Sequence, residues 1–174
     1  MSPKGDIWCV LYKGVKSMEP ETLFINSMDQ LYRMARFMLS DVQDAEDAVQ
    51  ETYVRFLIRK PKLKDEEHGK AWFMRVCINI CKNQLRFRNR HPQCNIIEVD
   101  TKGVDFGERE ILREISLLPV KLRSAMILYS IEGYSVKEIA GILKISEAAV
   151  KKRLQRGREQ LSIRLGQYEV TPHL

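Results

Sequence analysis

The segment 91-HPQCNIIEVDTKGVDFG-107 constrains the fold most, because it interrupts a chain whose legible remainder is helical. It holds Pro92, Gly103 and Gly107 and carries no helical period. A stretch of about 17 residues is long for a loop inside one compact domain, so it reads as a linker between two modules. With 174 residues, 44% of them hydrophobic, the chain has enough apolar material for two small packed cores.

Ahead of the linker, residues 22–39 put Phe24, Met28, Leu31, Tyr32, Ala35 and Met38 on one face of an amphipathic helix. Asp41 is placed to cap a second helix over 42–60, which buries Val42, Ala45, Val49, Tyr53, Phe56 and Leu57 and stops at Pro61. A polar loop, 61-PKLKDEEHG-69, then leads into a long helix over 70–90, with Phe73, Val76, Cys77 and Ile80 on its apolar side. Past the linker, helices over 108–118 and 120–132 meet at Pro119, which suits a helix start.

The stretch 133-GYSVKEIAGILKISEAAVKKRLQRGREQL-161 reads as two short helices hinged at 144-KIS-146. Val136, Ile139, Ala140 and Leu143 form the apolar side of the first, and Val150 and Leu154 lie beneath the polar face of the second. That is the pattern of a DNA-binding helix-turn-helix. The expected fold is all-α: two small helical domains joined by a flexible linker, the C-terminal one a helix-turn-helix.

The net charge is +6, and its distribution matters more than its total. Lys and Arg gather near 82–90 and 151–158, while acids gather at 41–51. In 41-DVQDAEDAVQETYVRF-56, Asp44, Asp47, Gln50 and Glu51 project from one side, opposite the apolar stripe. Acids in a first turn complement the helix dipole by roughly 0.3–1 kcal/mol each. That explains Asp44 but not Gln50 and Glu51, which lie beyond it. In 70-KAWFMRVCINICKNQLRFRNR-90, Arg75, Asn79, Lys82, Asn83, Arg86 and Arg90 form a polar stripe suited to both phosphates and base edges. Trp72 and Phe73 are expected in the core.

In the helix-turn-helix, Ser146 is a good N-cap that leaves the helix N-terminus facing a duplex. Glu147, Ala148, Ala149, Lys151 and Lys152 are then within reach of major-groove edges, and Lys152, Arg153, Arg156 and Arg158 of phosphates. Lys144 stands in the turn, where it must take a left-handed conformation at about 1 kcal/mol or the turn must differ in shape.

Other classes fit less well. No apolar run approaches the roughly 20 residues needed to cross a bilayer, and MSPKGDIWCVLYKG lacks the apolar core of a signal peptide, so a cytoplasmic protein is expected. Among Cys9, Cys77, Cys81 and Cys94 there is no Cys-x-x-Cys. Cys77 and Cys81, four apart, are either half a metal site or small core residues, and the second reading is favoured. No phosphate loop, metal-ligand cluster or nucleophile–base pair is visible, so neither an enzyme nor a cofactor is expected. An autonomous repressor would need a dimerisation or sensing module in residues 1–90, which the acidic face and the Asn-rich helix suit poorly.

The three segments together resemble bacterial RNA polymerase sigma factors of the extracytoplasmic-function (ECF) group. DAEDAVQETYVRF is similar to that group's D-A-E-D-hydrophobic-V-Q-E-T/A-F-hydrophobic-R, the helix that grips the polymerase. Residues 70–90 resemble its W-hydrophobic-x-R-I-A-x-N pattern, and 117–161 resemble its C-terminal domain almost throughout.

The resemblance implies that Asp44, Asp47, Gln50 and Glu51 bind the clamp coiled-coil of core RNA polymerase. It implies that Asn79 and Asn83 read the −10 element while Lys82, Arg86 and Arg88 hold its phosphates, with residues 62–68 as the base-capturing loop. Residues 146–158 would take the −35 element. It divides the chain into an extension (1–21), a region 2 domain (22–91), a linker (92–107), a region 4 domain (108–166) that also meets the polymerase flap, and a tail (167–174). An anti-sigma factor, often membrane-bound, is a further implied partner. No stable self-oligomer is expected.

Overall fold

The computed structural model describes residues 20–91 and 113–168, in which every regular element is helical. These are α1 (Pro20–Leu39), α2 (Val42–Arg59), α3 (Glu66–Arg90), α4 (Val120–Ser130), α5 (Val136–Leu143) and α6 (Glu147–Tyr168), with a helical turn at 113–116 before α4. The expected extension up to residue 19, the linker, the stretch 108–112, and Cys9 and Cys94 lie outside the described residues.

Local chemistry sets most of the boundaries. Asp41 caps α2 as expected, its side chain accepting from the Asp44 backbone N–H at 2.8 Å. Lys60 closes α2 in the left-handed region, φ 43°, and Pro61 follows it. Ser40 ends α1 in the same way at φ 60°, and Lys144 ends α5 at φ 53°. The left-handed reading of Lys144 therefore holds, and two further helices end on non-glycine residues at a similar cost of about 1 kcal/mol each.

α3 starts four residues before the expected position. Asp65 caps it, accepting from the His68 N–H at 2.7 Å, and Glu66 and Glu67 occupy the first turn where the helix dipole favours acids. The polar string DEEH thus serves a helix start. The loop expected over 62–68 contracts to the residues before Glu66.

The N-terminal module is a three-helix bundle around Leu31, Met34, Met38, Phe73, Met74 and Ile78, all essentially buried. An aromatic cluster sits at one end: Phe73 meets Phe24 and Phe56 edge-on at 5.2 and 5.3 Å, and half-buried Trp72 meets Phe73 at 5.5 Å. Cys77 and Cys81 are fully buried core residues, and the hydrogen bond with Cys77, then burial, push the Cys81 thiol well up. One expectation fails here: Leu57 is 44% exposed, because it projects from α2 away from the bundle.

In the C-terminal module, α4, α5 and α6 pack around Ile127, Leu128, Ile139, Ile142, Val150 and Leu154, so Val150 and Leu154 do turn inward. Gly157 lets α6 approach α4 closely, since a Cβ there would lie 2.6 Å from Met126 Cγ.

The two modules are packed against each other. α1 lies along α4, and α3 lies along α5 and α4. Arg33 of α1 makes two hydrogen bonds to the buried carboxylate of Glu132, at 3.2 and 2.9 Å, and Tyr134 donates to Gln30 Oε1 at 3.2 Å. Arg123 of α4 reaches back to the Met38 carbonyl at 2.6 Å.

Candidate nucleic-acid and protein interfaces

Three surfaces carry the candidate residues. On α2, Asp47 and Gln50 are exposed and Glu51 is half-buried. Glu51 bonds Arg55 one turn on at 2.8 Å, and Gln43 donates to Asp47 at 3.3 Å. Asp44 differs from these: it pairs with Arg88 of α3, at the edge of the bundle. Arg88 also donates to the Leu39 carbonyl at 3.3 Å. Asp44 and Arg88, assigned from the sequence to separate partners, are therefore brought together and help tie α1, α2 and α3.

The α2 surface also holds residues that hydrophobic patterning alone assigns to a core or passes over. Val54, Leu57 and Ile58 are 45%, 44% and 76% exposed. Val54 and Ile58 continue the stripe from Asp47 and Glu51 at helical spacing. An acidic strip thus runs into an apolar one, which suits a protein partner with a basic and an apolar side.

On α3, Asn79, Asn83 and Arg86 are exposed in line, with Arg86 donating to Asn83 Oδ1 at 3.3 Å. Lys82 is more enclosed. Burial first, then the neighbouring charges of Arg153, Arg86 and Lys121, hold its pKa below the ordinary lysine value. Arg75, at the start of the stripe, donates to the Ile142 and Gly141 carbonyls, each at 2.9 Å.

The helix-turn-helix has the expected local geometry. Ser135 and Glu138 form a reciprocal capping box at the start of α5. Ser146 caps α6, accepting from the Ala149 N–H at 3.2 Å. Ser146, Glu147, Ala148, Lys151, Lys152 and Arg156 are exposed on one end and side of α6, with Ala149 and Arg153 half-buried. Arg158 is also exposed, but it lies over the Tyr129 ring at 5.3 Å, a cation–π contact that directs it toward α4.

Arg123 is not among the residues that the sequence patterns single out. Its guanidinium donates to the Met38, Leu118 and Ser116 carbonyls, and burial pushes its pKa down to about 10, still charged at neutral pH. The available signal is a lone Arg inside the apolar run VKLRSAMIL.

Family models for Sigma-70 region 2 and Sigma-70, region 4 match residues 23–91 and 108–161, the two packed modules. The chain belongs to the ECF sigma factors. Relatives in this group include ECF RNA polymerase sigma factor SigM of Mycobacterium tuberculosis, 28% identical over 84% of this chain and 76% of its own length. SigW of Bacillus subtilis is 26% identical over 76% of this chain and 81% of its own. Among solved structures, the sigma factor RpoE in complex with the anti-sigma factor NepR from Bartonella quintana superposes at a TM-score of 0.67 and 22% identity. It covers 84% of this chain and 96% of that one. CnrH in complex with the cytosolic domain of CnrY gives 0.66 and 24%, covering 85% and 88%. An ECF sigma factor directs core RNA polymerase to promoters, so this chain's surfaces serve polymerase and DNA.

Proposed function

We propose that this sigma factor holds core polymerase through the outer face of α2 and reads the −10 and −35 promoter elements through α3 and α6. Asp47, Gln50 and Glu51 supply the charged and polar contacts to the clamp coiled-coil, and Val54, Leu57 and Ile58 supply the apolar part of the same footprint. Asn79 and Asn83 read base edges in the −10 element, and Lys82 and Arg86 neutralise its phosphates. Residues 146–156 enter the −35 major groove N-terminus first, with Lys151 and Lys152 at the edges and Arg153 and Arg156 toward the backbone. Asp44 and Arg88 contribute by fixing the angle between α2 and α3, not by direct contact. The protein acts in the cytoplasm, where an anti-sigma factor, free or membrane-bound, competes for these faces.

The observation that carries this reading is the continuous acidic and apolar strip on α2, left uncovered by both modules. Run-off transcription with purified core polymerase on a promoter library tests it. The chain should support initiation at a defined subset of promoters. An Asp47→Lys/Glu51→Lys variant and an Ile58→Asp variant should each lose at least tenfold in core affinity with unchanged helicity. Tight promoter binding without core, and no initiation with it, would remove the assignment.

A further inference from the structure

α3 ends in an exposed aromatic pair. Phe87 is 57% exposed, the one exposed phenylalanine among the described residues. His91 closes the helix, its backbone N–H donating to the Phe87 and Arg88 carbonyls at 3.1 and 3.0 Å. The imidazole comes to rest beside the phenyl ring, with centroids 4.5 Å apart and planes inclined by 42°. A tilted pair at this separation is favourable, and it steadies an aromatic surface at the end of a long helix.

A single exposed apolar side chain is common, and the neighbours distinguish this one. The run 82-KNQLRFRNRH-91 holds no carboxylate, and its one other apolar residue, Leu85, is buried. Asn83, Arg86, Asn89 and Arg90 are exposed around the ring. Asn83 and Arg90 stand four residues before and three after Phe87, so they share its side of the helix. Arg88 is engaged with Asp44. The strip on α2 is built differently, from several aliphatic residues beside acids. One ring among cations and amides has the area of a nucleobase, not of a protein footprint, and its charge complements a nucleic-acid backbone. Phe87 lies about 12 Å along the axis from Asn79, the span of three to four nucleotides at roughly 3.4 Å each. It occupies the end of α3 remote from residues 62–65.

We propose that Phe87, steadied by His91, is a stacking platform for an unpaired DNA base at the edge of the −10 segment farthest from residues 62–65, with Arg86 and Arg90 on the flanking phosphates. The ring reads no sequence, because every base has a π-face. Its effect is on melting: a base stacked on Phe87 does not return to its partner strand, so the platform favours opened over paired DNA. This rests on the reading of α3 as the −10 face, and the test separates the two claims.

Core polymerase loaded with the full chain is titrated with a promoter recovered from the run-off library, its −10 segment pre-melted by mismatches. A fluorescent purine analogue replaces each melted base in turn. One position at the far edge should be quenched by the wild type and released by Phe87→Ala, with affinity falling roughly tenfold. Phe87→Trp should keep both signals, whereas Phe87→Leu, apolar but without a π-face, should lose both. An abasic residue at that position should bring wild type and Phe87→Ala to equal affinity. Circular dichroism should show equal helicity throughout, since the side chain lies outside the core. Full binding by Phe87→Leu, or an alanine defect that persists on abasic DNA, would overturn the platform. So would a Phe87→Ala defect in core binding without DNA, which would assign the ring to a protein partner. If Asn79→Ala and Asn83→Ala bind and initiate as the wild type does while Phe87→Ala fails, the platform stands and base reading by α3 falls. The reverse pattern would keep the reading of α3 and remove the platform.

Discussion

The Arg123 guanidinium, carried on α4, donates to the main-chain carbonyl of Met38 at the end of α1, 2.6 Å away. It joins the C-terminal module to the N-terminal one through an acceptor present in every amino acid. It also holds the Leu118 and Ser116 carbonyls, so one side chain organises the entry to α4 and its seat on α1. Hydrogen bonds from a charged donor contribute about 1.5–3 kcal/mol each, and leaving their acceptors buried adds to the loss. Arg123→Ala should lower stability by about 2–4 kcal/mol in urea titration. Arg123→Lys should recover only part of it, because an ammonium cannot reach three carbonyls in the guanidinium's fork geometry.

Arg156 and Arg158 are close neighbours in sequence whose surroundings differ, and they are expected to respond differently to substitution. Both are exposed, but Arg158 lies over the Tyr129 ring. Titrating a −35 duplex across salt should show Arg156→Ala lowering the log–log slope by about 0.9, the value for one lost phosphate contact. Arg158→Ala should leave the slope nearly unchanged and cost about 0.5–1 kcal/mol of fold stability.

Gly157 is the residue that sets the approach of α6 to α4. A methyl there would press on Met126 Cγ and Sδ, at 2.6 and 2.8 Å. The strain of about 1–3 kcal/mol exceeds the gain in helix propensity of about 1 kcal/mol. Gly157→Ala should therefore lower the melting temperature. Combined with Met126→Ala it should cost less than the two single changes added, since the second makes room for the first.

The capping box of α5 predicts an acid-side pH dependence. The Ser135 hydroxyl and backbone N–H hold the Glu138 carboxyl below its ordinary value. The folded state thus binds this proton more weakly than the unfolded one. Its contribution is complete above the ordinary carboxylate range and disappears as the pH falls through the lowered folded-state value. Ser135→Ala should cost about 1 kcal/mol at neutral pH. Thermal unfolding between pH 6 and pH 3, roughly the range in which carboxylates titrate, should show a shallower loss of stability than in the wild type.

The sequence disclosed what is written locally. The apolar period of α1, the Asp41 cap, the left-handed Lys144 and the Ser146 cap all depend on residues within a turn or two of each other. So do the acidic strip on α2 and the inward turn of Val150 and Leu154. The early start of α3 was hidden because DEEH is polar enough to pass for a loop, although its Asp is a cap. Leu57 was misassigned because an apolar residue on a helix says that water is unfavourable there, not which partner removes it. The packing of the modules was invisible for a different reason. Arg33 and Glu132 are 99 positions apart, and Arg75 and Arg123 bind carbonyls, which carry no trace of residue identity.

That last distinction bears on how such chains diverge and recombine. Arg75 and Arg123 grip main chain, so the opposite module can change its side chains freely and still be held. Glu132 depends on Arg33, because without it a buried carboxylate is left unpaired, whereas the half-exposed Arg33 side chain can turn to water. A hybrid that takes its second half from a relative without an acid at 132 would keep the backbone grips and lose the matched pair. Its halves would still dock, but loosely, and the pair at 33 and 132 would act as a compatibility key between modules that otherwise look interchangeable.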